Sequence, residues 1–175
     1  MTFLAKLFGT QPDPREKMRP LWHKVVEIAR DPQWYADCHV ADEVDGRFDM
    51  ITAVLCIVAV RLETEQLHRE SALLCEFFVE DMDGQLREFG VNDVVVGKHI
   101  GRLMSTLGGR MGAYRPALLN QDQGKLEAAA DRNISFADGG SAACVANRLQ
   151  KLHDHLATID NETLLAAEFG MPEGA

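Results

Sequence analysis

The stretch FDMITAVLCIVAVRL, Phe48–Leu62, decides the fold. Phe48, Ile51, Leu55, Val58 and Leu62 recur at helical spacing, and Met50, Val54 and Ile57 make a second face apolar too. A helix that is apolar nearly all round is surrounded by other elements. At ~1.5 Å per residue, the uncharged run Met50–Val60 spans about half of a ~30 Å bilayer core, and it closes on Arg61, Glu63 and Glu65. It therefore reads as the central buried helix, starting near Arg47 and ending near Gln66, and not as a membrane span.

Working outward toward the C-terminus, a second helix is expected from about Glu70 to Phe89. Leu74, Phe77, Phe78, Met82, Leu86 and Phe89 form its buried arc, and Gly90 is its stop signal. Asn92 suits the cap of the next helix and Asp93 its first turn. Val96, Ile100, Leu103 and Leu107 make that helix's stripe. Gly97 and Gly101 predict a close helix contact, Gly108-Gly109 a kink or a close crossing, and Pro116 a bend. A short helix follows near Lys125 to Ala130, then a loop from Arg132 to Gly140. A longer helix runs from Ser141 to about Ile159 with Val145, Leu149, Leu152 and Leu156 inward, and Asn161 caps a last short one.

Toward the N-terminus, a helix is expected from Asp13 or Pro14 to Ala29, with Leu21, Val25 and Ile28 as its stripe and Pro14 in its first turn. Trp34 and Tyr35 follow in a short helical turn after Pro32. In residues 1–12, Phe3, Leu4, Leu7 and Phe8 would share one face of a helix with Lys6 outside it. Such an end either tucks onto the core or lies on a membrane surface. The expected fold is all-α: a single-domain bundle of roughly six to eight helices over residues 13–169, with a mobile or surface-lying start and a tail from 170 to 175.

Composition bounds the function. With 46% hydrophobic and 26% charged residues the 175-residue chain can bury a core without staples. A net charge of -9 does not suit general nucleic-acid binding, so no specific DNA binding is expected. Cys38, Cys56, Cys75 and Cys144 form no CxxC and have no His at zinc-finger spacing. They read as reduced thiols in a cytosolic setting. No signal or transit peptide is visible, which places the protein in the cytoplasm, with peripheral contact at the inner face of the cytoplasmic membrane left open.

No catalytic, metal or cofactor set assembles. Glu65 and His68 form one ExxH where a di-iron bundle needs two. His153 and His155 fall on different helix faces, and so do Glu80, Asp81 and Asp83. Neither GxxxxGK[ST] nor GxSxG occurs.

Two features stand out. Asp81 and Gln85 fall inside the apolar arc of their helix, and a buried carboxylate needs a partner or it protonates. Arg61 or Arg110 is the expected partner, giving a structural network of Arg61, Asp81, Gln85 and Arg110, unless Asp81 caps a helix start. The alternative is a ligand groove near Asp81, His99 and Arg110, as in a small helical enzyme or cofactor-binding protein. The second feature is charge segregation. From Glu76 to Asp93 there are six acids and one base, Arg87, whereas Val94 to Gln121 has no acid but carries Lys98, Arg102, Arg110 and Arg115.

Taken in order, Asp45-Gly46-Arg47-Phe48, Phe78-Val79-Glu80-Asp81-Met82-Asp83, Leu86-Arg87-Glu88-Phe89-Gly90-Val91-Asn92-Asp93, Val96-Gly97-Lys98 and Gly109-Arg110 through Tyr114 resemble the ubiquinol–cytochrome c chaperone family. Trp34-Tyr35 also suits it, while Leu107-Gly108 departs from the aromatic residues expected there. The resemblance implies a non-catalytic assembly factor for respiratory complex III whose client is newly made, apolar cytochrome b. For mitochondrial relatives it implies a small partner subunit and docking at the ribosomal exit tunnel; without a transit peptide this chain looks like a bacterial member. Lys98, Arg102, Arg110, Tyr114 and Arg115 are then the candidate partner- or ribosome-binding residues. A peripheral membrane adaptor using the N-terminal apolar foot is the remaining alternative.

Overall fold

The computed structural model describes residues 13–88 and 93–172, with side chains described except at Pro14, 85–88 and 93–100. The expectations for residues 1–12, for Phe89, Gly90 and Asn92, and for the side chains of Gln85, Arg87, Glu88, Asp93, Lys98 and His99 lie outside the described residues.

Among the described residues there are eight α-helices and one 3-10 segment: Pro14–Met18 (3-10), α1 Arg19–Ala29, α2 Pro32–Ala36, α3 Val44–Thr64, α4 His68–Glu88, α5 Asp93–Leu119, α6 Gln123–Asn133, α7 Ala142–Thr158 and α8 Asn161–Leu165. The all-α bundle holds. The first helix is split because Pro20 sits at the start of α1. A proline tolerates a first helical turn but would disrupt a helix interior, so the chain enters through a 3-10 turn capped by Asp13.

α3 is the axis. Every residue from Met50 to Leu62 is buried, and the helix packs against α1, α4, α5 and α7. Its two ends are pinned by buried polar side chains. At the C-terminal end, Arg61 donates to the carbonyls of Leu156 and Ile159, both at 2.8 Å. It thereby caps the C-terminus of α7, whose last carbonyls lack helical partners. At the N-terminal end, the Oδ1 of Asp49 accepts from Arg110 at 2.5 Å. Its Oδ2 accepts from the Ser135 amide at 2.9 Å and the Ser135 hydroxyl at 2.8 Å. Arg110 also donates to Thr52 and lies 5.3 Å from the Phe48 ring centroid.

The cysteine reading is corrected at two positions. Cys38 and Cys144 form a disulfide, with Cα atoms 5.3 Å apart. The backbone aligns them. Residues 38–41 run antiparallel to 135–141 through Ala41 N–H to Ser135 O, Ala137 N–H to His39 O and Ser141 N–H to Cys38 O, at 2.9, 2.9 and 3.1 Å. Cys56 and Cys75 are free. The inference of a cytosolic setting from cysteine usage loses its basis.

The same crossing explains Gly46. A Cβ there would lie 2.0 Å from the Ala41 carbonyl oxygen, a backbone atom that cannot swing away. Gly46→Ala should therefore destabilise the protein by about 1–3 kcal/mol despite alanine's better helix propensity. Urea titration would read this as a lower midpoint at unchanged slope. An unchanged midpoint would show that the crossing can open.

α5 runs unbroken through Gly108-Gly109 and Pro116 to Leu119. The close contacts expected at its glycines are absent at Gly101, Gly108 and Gly109. A Cβ at any of these, or at Gly112, meets nothing within 4 Å, and all four face solvent.

Among the described residues, no helix is long and apolar enough to cross a membrane.

Candidate functional site

A groove of about 700 Å³ runs along α4 where it meets α5 and the end of α3. Its floor follows from helical phase. Ala72, Cys75 and Val79 lie at i, i+3 and i+7 on α4, so they form one strip. Met104 of α5 closes it from the side and is 47% exposed. Four acids, Glu63, Glu76, Glu80 and Asp83, stand around this apolar floor together with Arg15 and His68.

Arg15 reaches Glu80 at 3.2 Å, and Arg115 grips Glu63 with two hydrogen bonds of 2.9 Å. Burial, with Glu63 and Glu76 nearby, pushes the Cys75 thiol up to about 11. Burial raises the fully enclosed Cys56 thiol as well. Neither is poised as a nucleophile, since it is the thiolate that attacks. Beside this groove, the outer face of α5 presents Gly101, Gly108, Gly109 and Gly112, with Met104 between the first two and Leu119, 54% exposed, at the C-terminal end.

A second groove, about 620 Å³, separates α1 from α4. Trp22 and Phe77 form its base, and Arg19, Arg30, Glu27 and Asp81 stand at its edge. This is where Asp81 lies. It is exposed and is not the buried partner of Arg61 or Arg110. The proposed network of Arg61, Asp81, Gln85 and Arg110 is corrected accordingly. Arg61 serves α7, Arg110 serves Asp49, and the Gln85 side chain lies outside the described residues. A ligand groove shared by Asp81 and Arg110 is likewise not formed. Asp81→Ala should leave the melting temperature nearly unchanged, within about 0.5 kcal/mol of stability. A large drop would mean that the carboxylate has a buried role.

The predicted basic stripe divides. Arg102 is exposed, and Arg115 is half-buried in its pair with Glu63. Arg110 is largely buried, and Tyr114 is fully buried, its hydroxyl pushed well up by desolvation. Arg110 and Tyr114 share the phase of Leu107, Met111 and Leu118, which faces α3, so neither can meet a partner. Asp49 was missed by sequence reasoning. The signal was present: it is the one charged residue between Phe48 and Val60, and a charge there must find a partner. Among the described residues no cluster of His, Cys, Asp and Glu could hold a metal ion.

Comparison with known proteins gives two matches. Residues 36–171 match the family model described as Ubiquinol-cytochrome C chaperone. The fold is similar to a solved structure described as the crystal structure of the Cbp3 homolog from Brucella abortus, at 27% identity and a TM-score of 0.78 over 98% of this chain and 97% of that one. No curated protein matches the chain.

Proposed function

Because this chain belongs to the ubiquinol-cytochrome C chaperone family, we propose that it is a non-catalytic assembly chaperone that holds the apolar cytochrome b subunit during biogenesis of ubiquinol–cytochrome c reductase. The observation that carries this reading is the outer face of α5. Each glycine in a helix interior costs about 1 kcal/mol relative to alanine. Four of them face solvent here, and among the described residues nothing packs against the missing side chains. A face that small admits a client helix at close range, as small residues do between membrane helices. The adjoining groove suits the same client. Membrane proteins carry Lys and Arg beside their apolar spans, and here an apolar floor is ringed by acids.

Removing the gene should sharply lower assembled cytochrome b, read from the b-type haem absorbance of membranes. Re-expression of the wild-type chain should restore it, and Gly108→Leu with Gly112→Leu should not, although both positions are open enough to accept leucine without disturbing the fold. Normal cytochrome b in the deletion strain would sink the proposal. Restoration by the double variant would sink the placement of the client on α5. Lys98 and Arg102 belong to the proposal as docking residues for a ribosome or a small partner subunit. Reversing both charges should abolish co-sedimentation with ribosomes or membranes. The client reading puts the protein's working place at a membrane surface, where cytochrome b is inserted.

A further inference from the structure

We propose that Cys38 and Cys144 are a redox-active pair, opened and closed by thiol–disulfide exchange, with Cys144 as the sulfur that exchanges. The two halves of the crosslink differ in access and in setting. Cys38 is fully buried between α2 and α3, whereas Cys144 is part-exposed in the first turn of α7. An incoming thiolate therefore reaches the Cys144 sulfur first. Cys144 is the third residue of that 17-residue helix, and its amide donates to the Ser141 hydroxyl at 3.1 Å. The positive end of a helix favours negative charge, and a thiolate placed there is stabilised.

A second, independent feature points the same way. Arg148 lies at i+4 from Cys144, on the same helix face. It is 5% exposed, and its guanidinium lies 4.6 Å over the Trp34 ring. Nη1 donates to Gln33 at 3.0 Å. Nε and Nη2 are enclosed and have no hydrogen-bond partner among the described residues. Its ion pairs with Asp31 and Asp37, at 3.6 and 4.0 Å, are too long for hydrogen bonds. Burial pulls this guanidinium below its usual range more than the two carboxylates pull it back. Asp37 immediately precedes Cys38, so the cation is held beside the crosslink from both of its sides; His39, which follows Cys38, is exposed. A buried cation with unused donors supplies the counter-charge that a Cys144 thiolate needs.

The co-reactant is a thiol, and a dithiol completes the cycle. One of its thiolates attacks the Cys144 sulfur, and the S–S bond breaks with its electron pair leaving on Cys38, which takes a proton. The second thiolate then attacks the mixed disulfide and releases Cys144 as a thiolate, so the dithiol is oxidised to a disulfide while the pair gains two electrons. The pair can close again, because the hydrogen bonds between residues 38–41 and 135–141 keep both cysteines in place without the sulfur bond. The clasp between the α2–α3 connection and α7 thus follows the thiol poise of its surroundings, whatever the client.

The Cys38→Ser chain isolates the exchanging sulfur. Its labelling by iodoacetamide is read at the Cys144 peptide by mass spectrometry, which sets Cys56 and Cys75 aside. An ordinary thiol slows about fiftyfold between pH 8.5 and pH 6.5, as its thiolate is lost. Cys144 should slow about fivefold or less. Adding Arg148→Met, which keeps an apolar cover on Trp34, should steepen the fall severalfold. Arg148→Lys, which keeps the charge, should leave it shallow and so separates charge from packing. In the wild-type chain, glutathione buffers stepped from mostly oxidised to mostly reduced should carry the pair from disulfide to dithiol and back, whereas crosslinks that serve stability alone resist that pool. A fall of about fiftyfold at Cys144, the same profile in Arg148→Met, or a crosslink still closed in the most reduced buffer would each overturn the proposal.

Discussion

Asp49→Ala is expected to cost about 3–5 kcal/mol, because it strands the Arg110 guanidinium in the core. Asp49 is 6% exposed, and its carboxylate holds Arg110 at 2.5 Å and both donors of Ser135. Its removal leaves Arg110 without its carboxylate, held only by Thr52 and the Phe48 ring, and takes the acceptor from the part-buried Ser135 amide. Arg110→Ala should lose a similar amount through the reverse imbalance. The pair as a whole contributes far less than either half, since its attraction mainly offsets the desolvation of two charges. Asp49→Leu combined with Arg110→Met should therefore recover most of the stability that either single change loses. Chemical denaturation of the wild type, Asp49→Leu, Arg110→Met and the double variant makes the cycle. Additive losses in the double variant would show that the two side chains do not depend on each other.

The second large effect concerns the crosslink. Cys38 and Cys144 stand 106 residues apart, and closing a loop of that size restricts the unfolded chain more than the folded one. Cys38→Ser should lower stability by about 2–4 kcal/mol. The folded structure should change little, because the hydrogen bonds between residues 38–41 and 135–141 hold the same crossing without the sulfurs. A thiol reductant should lower the urea midpoint of the wild-type protein and leave the Cys38→Ser variant unmoved. A wild-type midpoint indifferent to reductant would rule out a stabilising crosslink.

These two predictions share a feature that the sequence does not display. Helical periodicity states which face of an element is buried, and on that point the reading was sound. Leu21 and Val25 on α1, and Val145, Leu149, Leu152 and Leu156 on α7, are all fully buried. Periodicity does not say which neighbour a face meets. Asp81 was expected to need a buried partner because its helical phase falls inside an apolar arc; it lies at the arc's edge and opens to the α1–α4 groove. Asp49, at the head of the apolar run Met50–Val60, had the stronger claim. The α5 glycines were read as sites of close contact and are open to solvent, since a glycine pattern is the same whether its neighbour is in the chain or outside it. Cap position also slipped by one residue at α8, where Asp160, not Asn161, accepts from the Thr163 amide at 2.8 Å. Of the site itself, the acidic α4 was legible, but the groove was not, because Met104 joins Ala72 and Cys75 only when α4 and α5 pack.

The pinning of α3 has a consequence for how the chain reaches its fold. Asp49 waits for Ser135, 86 residues later, and Arg61 waits for Leu156 and Ile159, 95 and 98 residues later. On a ribosome adding roughly 5–20 residues per second, α3 would be complete several seconds before its last polar partners are made. During that interval its 21 residues, a strongly apolar helix, have α1, α4 and α5 to pack on but still lack the cover that α7 supplies last. High sequence separation also slows the search for the native contacts once all of them exist. The nascent chain thus passes through the same exposure, a long apolar helix awaiting later segments, that an apolar client presents to it.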